Sequence, residues 1–411
     1  MKMSKKSAII LILTVFLGAL AALIWFYFAG VGLPTKAPIK QISTGEVYDP
    51  FGTISTSSSV ASSTEEIVPV EGQNNFIVEN RLRKISDDPI SGYAVNENLI
   101  HYILRANGNI YETSKDSLEI KRLSITTIPK VYESVWLPGG EKLIIRYLKD
   151  NTENIETFSV KINPATTTLN EFEGGIDGNF LPEGISTVVI NPAGDKIFYL
   201  TNNLNGASGF VSKPDGLNKS LLFESPLIEW AVSWPKEETI TMSTKPTAKI
   251  PGYLYFLNTK TGDFSKILGG ITGLTTKINK TASEVLYSDS VRNTPRLYLF
   301  NIKNNESKLL PWSTFPEKCL WSNVDATTVY CAVPKSFSTG EYPDLWYQGL
   351  TSFTDDIWRI NTNTGASTLV FDIQKETKNN LDIVDLNLDQ NDDYLFFTNK
   401  TDLTLWSLKL K

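Results

Sequence analysis

The sequence predicts an all-β fold: a seven-bladed β-propeller closed by a strand from its own N-terminus, preceded by one N-terminal transmembrane helix. Three observations carry this prediction. Short β-branched and aromatic runs recur after residue 79, broken by Asn, Gly, Asp and Pro. A strand–turn–strand pattern repeats at close to 44 residues, the period of four-stranded propeller blades. One strand is left over at each end of the repeat region, and the two can pair.

Residues 1–7 come first and carry Lys2, Lys5 and Lys6. From Ala8 to Leu33 there is no charge, and Thr14 is the only polar side chain. Twenty-six residues at about 1.5 Å each exceed the roughly 30 Å hydrocarbon core, so the segment spans as a helix. Trp25 and Tyr27 sit near its far end, where aromatic rings favour the interface. The apolar run is longer than the ~7–15 residues of a cleaved signal peptide, and no cysteine follows it to take a lipid. An uncleaved signal-anchor is therefore expected, with residues 1–7 cytoplasmic and everything after Pro34 outside.

Residues 34–78 are expected to form a flexible tether. Nine of the twelve residues from Thr53 to Thr64 are Ser or Thr, too few apolar groups to build a core. Such a segment has a root-mean-square reach of roughly 35–40 Å.

Residues 79–411 are expected to be the propeller. The clearest turn copies are Trp136-Leu137-Pro138-Gly139-Gly140-Glu141-Lys142-Leu143, Ile190-Asn191-Pro192-Ala193-Gly194-Asp195-Lys196-Ile197 and Ser233-Trp234-Pro235-Lys236-Glu237-Glu238-Thr239-Ile240. The anchors Leu99, Leu143, Ile197, Ile240, Val285, Val329 and Leu395 are spaced 44, 54, 43, 45, 44 and 66 residues apart. Third strands such as Gly252–Asn258, Arg296–Asn301 and Asp356–Asn361 follow in the same slot. After Ile383 only three strands remain, while Arg81–Ser86 reads as an outer strand with no blade before it. Pairing these completes the seventh blade and removes an open edge. The turn motifs resemble the W-S-P-D-G-K pattern of TolB-like and related WD-type propellers, over roughly residues 79–411. The copies at Asn279-Lys280-Thr281 and Ser322-Asn323-Val324 depart from it. The resemblance implies the fold and a bacterial, membrane-anchored setting, and is nearly silent on function.

Little of the chemistry points to catalysis. The formal net charge is −6; without the three N-terminal lysines the remainder carries 36 basic and 45 acidic side chains. An acidic body without a basic cluster excludes nucleic acid as a partner. One histidine, His101, lies inside an apolar strand and is expected to be a hydrogen-bonded wall residue. No Gly-x-Ser-x-Gly elbow is present, which removes a peptidase. Asp389–Asp393 starts like a calcium loop but lacks its glycine and final glutamate, so a solvated turn is expected. No metal and no cofactor are expected. Cys319 and Cys331 lie symmetrically about Asp325 in a hairpin, which places them opposite one another. A disulfide is expected outside the membrane, the alternative being two buried thiols.

The largest departure from the repeat is an insertion between Tyr330 and Trp358, joining the second and third strands of its blade. Such connections share one face with the blade-to-blade loops, together with Asn202–Ser208, Ser243–Gly252 and Asp289–Pro295. Tyr342, Trp346 and Tyr347 offer rigid contact area, and Asp344, Asp355 and Asp356 offer polar handles. These six are the candidate binding residues. The alternative is that the aromatics fold down and plug the channel. The expected function is a non-catalytic binding or scaffold module at the cell envelope, with a protein, peptide or glycan partner and the lipid bilayer around residues 8–33. The second reading is an envelope lyase or glycosidase using carboxylates at the channel mouth.

Overall fold

The second strand of most repeats is a short apolar run, as in Leu143-Ile144-Ile145, because both of its faces are buried; that of the fourth, Thr239–Thr244, is buried too but alternates Ile240 and Met242 with Thr and Ser. In the computed structural model, which describes residues 81–150, 152–163, 174–290 and 294–411, alternate residues of these strands pack against the blades on either side. Ile144 and Ile197 share a cluster with Tyr199, whereas Phe198 and Leu200 pack with Ile240 and Met242 of the next blade. Each interface between neighbouring blades is filled by one such cluster.

The strands form seven four-stranded antiparallel sheets. All seven expected anchors lie on second strands, which begin at or beside them. In six blades the strand order follows the chain. The seventh combines Ile383–Leu388, Tyr394–Asn399 and Leu405–Lys409 with Leu82–Lys84 from the N-terminal end. Leu82 pairs with Leu408 and Lys84 with Trp406, so the ring closes as the leftover strands required. The closing strand is shorter than Arg81–Ser86, but Ile85 N–H still donates to Leu405 C=O at 2.7 Å. Arg83 donates to the Ser114 carbonyl at 2.9 Å and ties the closure to the first blade.

Cys319 and Cys331 are directly paired in register and joined as a disulfide. His101 is a buried wall residue, its ring nitrogens 2.9 Å from Gly140 O and 2.8 Å from Glu112 Oε2. Asp389 makes a turn: its carboxylate accepts from the N–H groups of Asp393 and Tyr394 and pairs with Lys115 at 2.9 Å. The expected cytoplasmic segment 1–7, membrane helix 8–33 and tether 34–78 lie outside the described residues. Among the described residues no helix is long and apolar enough to cross a membrane.

Candidate functional site

The insertion spans residues 335–354, between the strands Thr328–Pro334 and Asp355–Asn361. Its neck is closed by Lys335 N–H donating to Thr354 C=O at 2.9 Å. From there the chain folds down. Phe337, Tyr342, Trp346 and Phe353 surround Phe315, and the Trp346 ring stacks on Phe315 at 4.9 Å between centroids. Trp346 is 2% exposed, while Tyr347, on the same helical turn Asp344–Tyr347, is 43% exposed.

Beneath these rings lies a sealed ion triad. Lys318 Nζ stands 2.6 Å from Asp355 and 2.6 Å from Asp382, with all three side chains inaccessible to solvent. Asp382 also accepts from Trp346 Nε1 at 3.0 Å and from Phe353 N–H at 3.1 Å, so one carboxylate pins the middle and the C-terminal end of the insertion. Burial pushes the Asp355 carboxyl up to about 6 against the opposing pull of Lys318. The physical cause is plain: one ammonium cannot neutralise two carboxylates in a dry site, so the triad favours a proton. Asp355 Oδ1 has no partner and is where that proton would sit.

The insertion also reaches across the channel mouth. Asp344 accepts from Thr247 Oγ1 at 2.8 Å and Ala248 N–H at 2.7 Å, on the fourth blade. Glu341 pairs with Lys249 at 3.0 Å. On the other side Lys400, of the seventh blade, donates to the Trp346 carbonyl at 2.8 Å. The Tyr347 hydroxyl donates to Glu317. Burial raises both of these groups and lowers Lys277, which faces Glu317. All three still touch solvent, the combination expected inside a narrow channel.

The structure thus brings the six candidate residues together, chiefly as a lid. Tyr342, Trp346 and Asp355 are sealed inside it. Asp356 is buried and paired with Lys335 at 2.7 Å, and Asp344 is committed to the fourth blade. Only Tyr347 is exposed. Phe315, Lys318 and Asp382 escaped the sequence reading, since no motif marks them and their partners are distant in the chain.

Beside the lid the face is open in two ways. Leu204, Leu227, Ile228, Ile250 and Leu350 are exposed apolar side chains on its loops. Lys245 pairs with Glu229 at 2.6 Å and Lys249 with Glu341, which sets these loops side by side up to the lid. Farther round, at blades seven, one and two, the mouth holds a cavity of about 290 Å³.

Solved structures share this architecture. An oligogalacturonate lyase from Vibrio parahaemolyticus is 10% identical, with a TM-score of 0.53 over 80% of this chain and 93% of its own. An oligogalacturonate lyase in complex with manganese is 11% identical, with a TM-score of 0.52 over the same shares of 80% and 93%. TolB from Acinetobacter baumannii is 10% identical, covering 66% of this chain and 62% of its own at a TM-score of 0.43. At such identities the likeness is one of fold. No family model matches the sequence, and no curated protein matches it. Among the described residues no three or more His, Cys, Asp or Glu side chains are grouped to hold a metal ion.

Proposed function

We propose that this protein is a membrane-anchored, extracytoplasmic binding or scaffold module of the cell envelope, and that its lid-bearing face takes an apolar protein surface. The exposed side chains Leu204, Leu227, Ile228, Ile250 and Leu350 on adjacent loops of one face carry this reading. Exposed apolar side chains on loops set side by side are the kind of surface that a partner covers. The lid supports the same reading, because its buried aromatics and ion triad make a rigid base for those loops. The envelope setting rests on residues 1–33 of the sequence and on the disulfide, which persists outside the cytoplasm.

Leu204→Ser, Ile250→Ser and Leu350→Ser, combined in the full-length protein, test the surface. Burying one such side chain contributes about 1.5–3 kcal/mol. In a crosslinking pull-down, the triple variant should capture a partner protein more than tenfold less than the unaltered protein while melting at the unchanged temperature. Undiminished capture would remove the crest as the docking surface. The lyase or glycosidase reading needs a free carboxylate pair. Asp355 and Asp356 are instead held by Lys318 and Lys335, so the insertion does not supply one.

A further inference from the structure

The five exposed side chains of the crest are held out by the loops that carry them. The hairpin tip with Leu204 rests on the connection that follows its blade: a Cβ added at Gly206 would stand 1.9 Å from Ser225 O. Leu227 comes next on that connection. Its N–H donates to Ser225 Oγ at 3.0 Å, and its carbonyl accepts from Trp230 Nε1 at 3.0 Å. Trp230 is buried, so Leu227 and Ile228 sit on a loop whose inner side is already filled. The loop that carries Ile250 is tied to this one by Lys245 and Glu229, and to the lid by Thr247 and Asp344. On the lid, Leu350 N–H donates to Leu345 C=O at 2.9 Å, which fixes the backbone after the helical turn. The crest thus runs from the third blade through the fourth to the lid, with Ile228 and Ile250 in its middle and Leu204 and Leu350 at its ends.

Three properties of the crest select its partner. All five side chains are aliphatic. Binding hot spots in general are rich in Trp, Tyr and Arg, whereas a uniformly apolar contact, like a core cut in half, is characteristic of identical subunits. The charges beside the crest are already balanced: Lys245 pairs with Glu229 and Lys249 with Glu341, while Asp344 takes up the Thr247 hydroxyl and the Ala248 N–H. Beyond its three N-terminal lysines the chain carries 36 basic and 45 acidic side chains, so two copies repel in general and meet at least cost where the acids are paired. The third property is area. The five side chains are between 49% and 105% exposed. They present about 600 Å² on each copy, or about 1,200 Å² for two, which reaches the lower limit of a stable interface.

We propose that the partner is a second copy of this chain. Two copies meet crest to crest about a two-fold axis, with Ile228 and Ile250 near the axis and Leu204 of each copy opposite Leu350 of the other. The inference rests on the crest being a docking surface and names its occupant. A two-fold contact uses the same patch on both copies, so the assembly closes and leaves no crest uncovered. The hydrogen bonds that fix the loops beforehand reduce the ordering cost of the contact.

Sedimentation of the full-length protein in a density-matched detergent tests this. The protein should be a dimer. Leu204→Ser, Ile250→Ser and Leu350→Ser together should raise its dissociation constant more than tenfold, with the far-ultraviolet spectrum of the folded protein kept. A bifunctional maleimide tests the geometry, because both native cysteines are joined as a disulfide and one added cysteine is then the only thiol. Ile250→Cys should crosslink to its own copy, and Leu204→Cys mixed with Leu350→Cys should crosslink to each other. Leu217→Cys should not crosslink: it is exposed in the turn after the strand Gly206–Ser212, at the far end from Leu204. A monomer at every concentration overturns the proposal. So does a dimer that the triple variant leaves intact, or one that crosslinks equally through Leu217. A monomer that still captures a different protein, and loses it in the triple variant, overturns self-association while the crest stays a docking surface. Should the triple variant fail to fold, the single cysteines decide.

Discussion

Lys318→Met removes the ammonium from the sealed triad and leaves an apolar chain of similar length. Lys318 Nζ stands 2.6 Å from two carboxylates and donates to Ile383 C=O at 3.0 Å, with no solvent to replace it. Breaking a buried pair in this way costs about 3–5 kcal/mol when the abandoned charge stays ionised. The cost must depend on pH, and its sign follows from Asp355. That carboxyl is raised from 3.8 to about 6 in the folded protein. Between those values the folded chain binds more protons than the unfolded chain, so stability is lost as pH rises through the window. A shift of that size corresponds to about 3 kcal/mol. Without Lys318 the upward influences, burial and Asp382, are opposed only by the hydrogen bond from Ile383 N–H, so the window extends to higher pH. Urea unfolding of both proteins at about pH 7.5 and about pH 5 measures this. The variant should lose about 3–5 kcal/mol at the higher pH and less than half of that at the lower, where Asp355 is protonated. An equal loss at both values would refute a dry, electrostatically coupled triad.

Trp346→Ala deletes a ring stacked on Phe315 and a donor to Asp382, and should cost about 3–5 kcal/mol in a calorimetric melt. Tyr347→Ala, on the exposed side of the same turn, should cost less than about 1 kcal/mol, and equal effects would mean the lid does not pack as described. Deleting residues 81–86 strips the closing strand from the seventh blade and should cause aggregation or loss of cooperative unfolding, whereas deleting residues 41–70 should leave the melt unchanged. Equal tolerance of the two deletions is the outcome that rejects strand closure. A reporter fused after Lys411 should be active only outside the cytoplasm, because the proposed signal-anchor keeps Lys2, Lys5 and Lys6 inside; cytoplasmic activity rejects the signal-anchor.

The blades were legible from the chain because what defines them is local. A strand buried on both faces reads as a short apolar run, and the turn before it reads as Pro, Gly, Asn or Asp, so Leu99 through Leu395 mark second strands without knowledge of any partner. The pairing of Cys319 with Cys331 follows from symmetry within one hairpin, and the closure by Leu82–Lys84 follows from counting strands. The fate of the insertion was not legible in this way. Its aromatic residues and acids suit an exposed binding loop and a buried plug equally well. What separates the two is whether Phe315, Lys318 and Asp382 wait beneath them, and those residues lie tens of positions away in other elements. The channel mouth was hidden for a related reason. A bulge shifts one strand by a residue or two against its neighbour, which alternation along a single strand does not record. That Asp385 and Arg105, far apart in the chain, line one cavity is a property of seven blades meeting around an axis, decided only once the ring has closed.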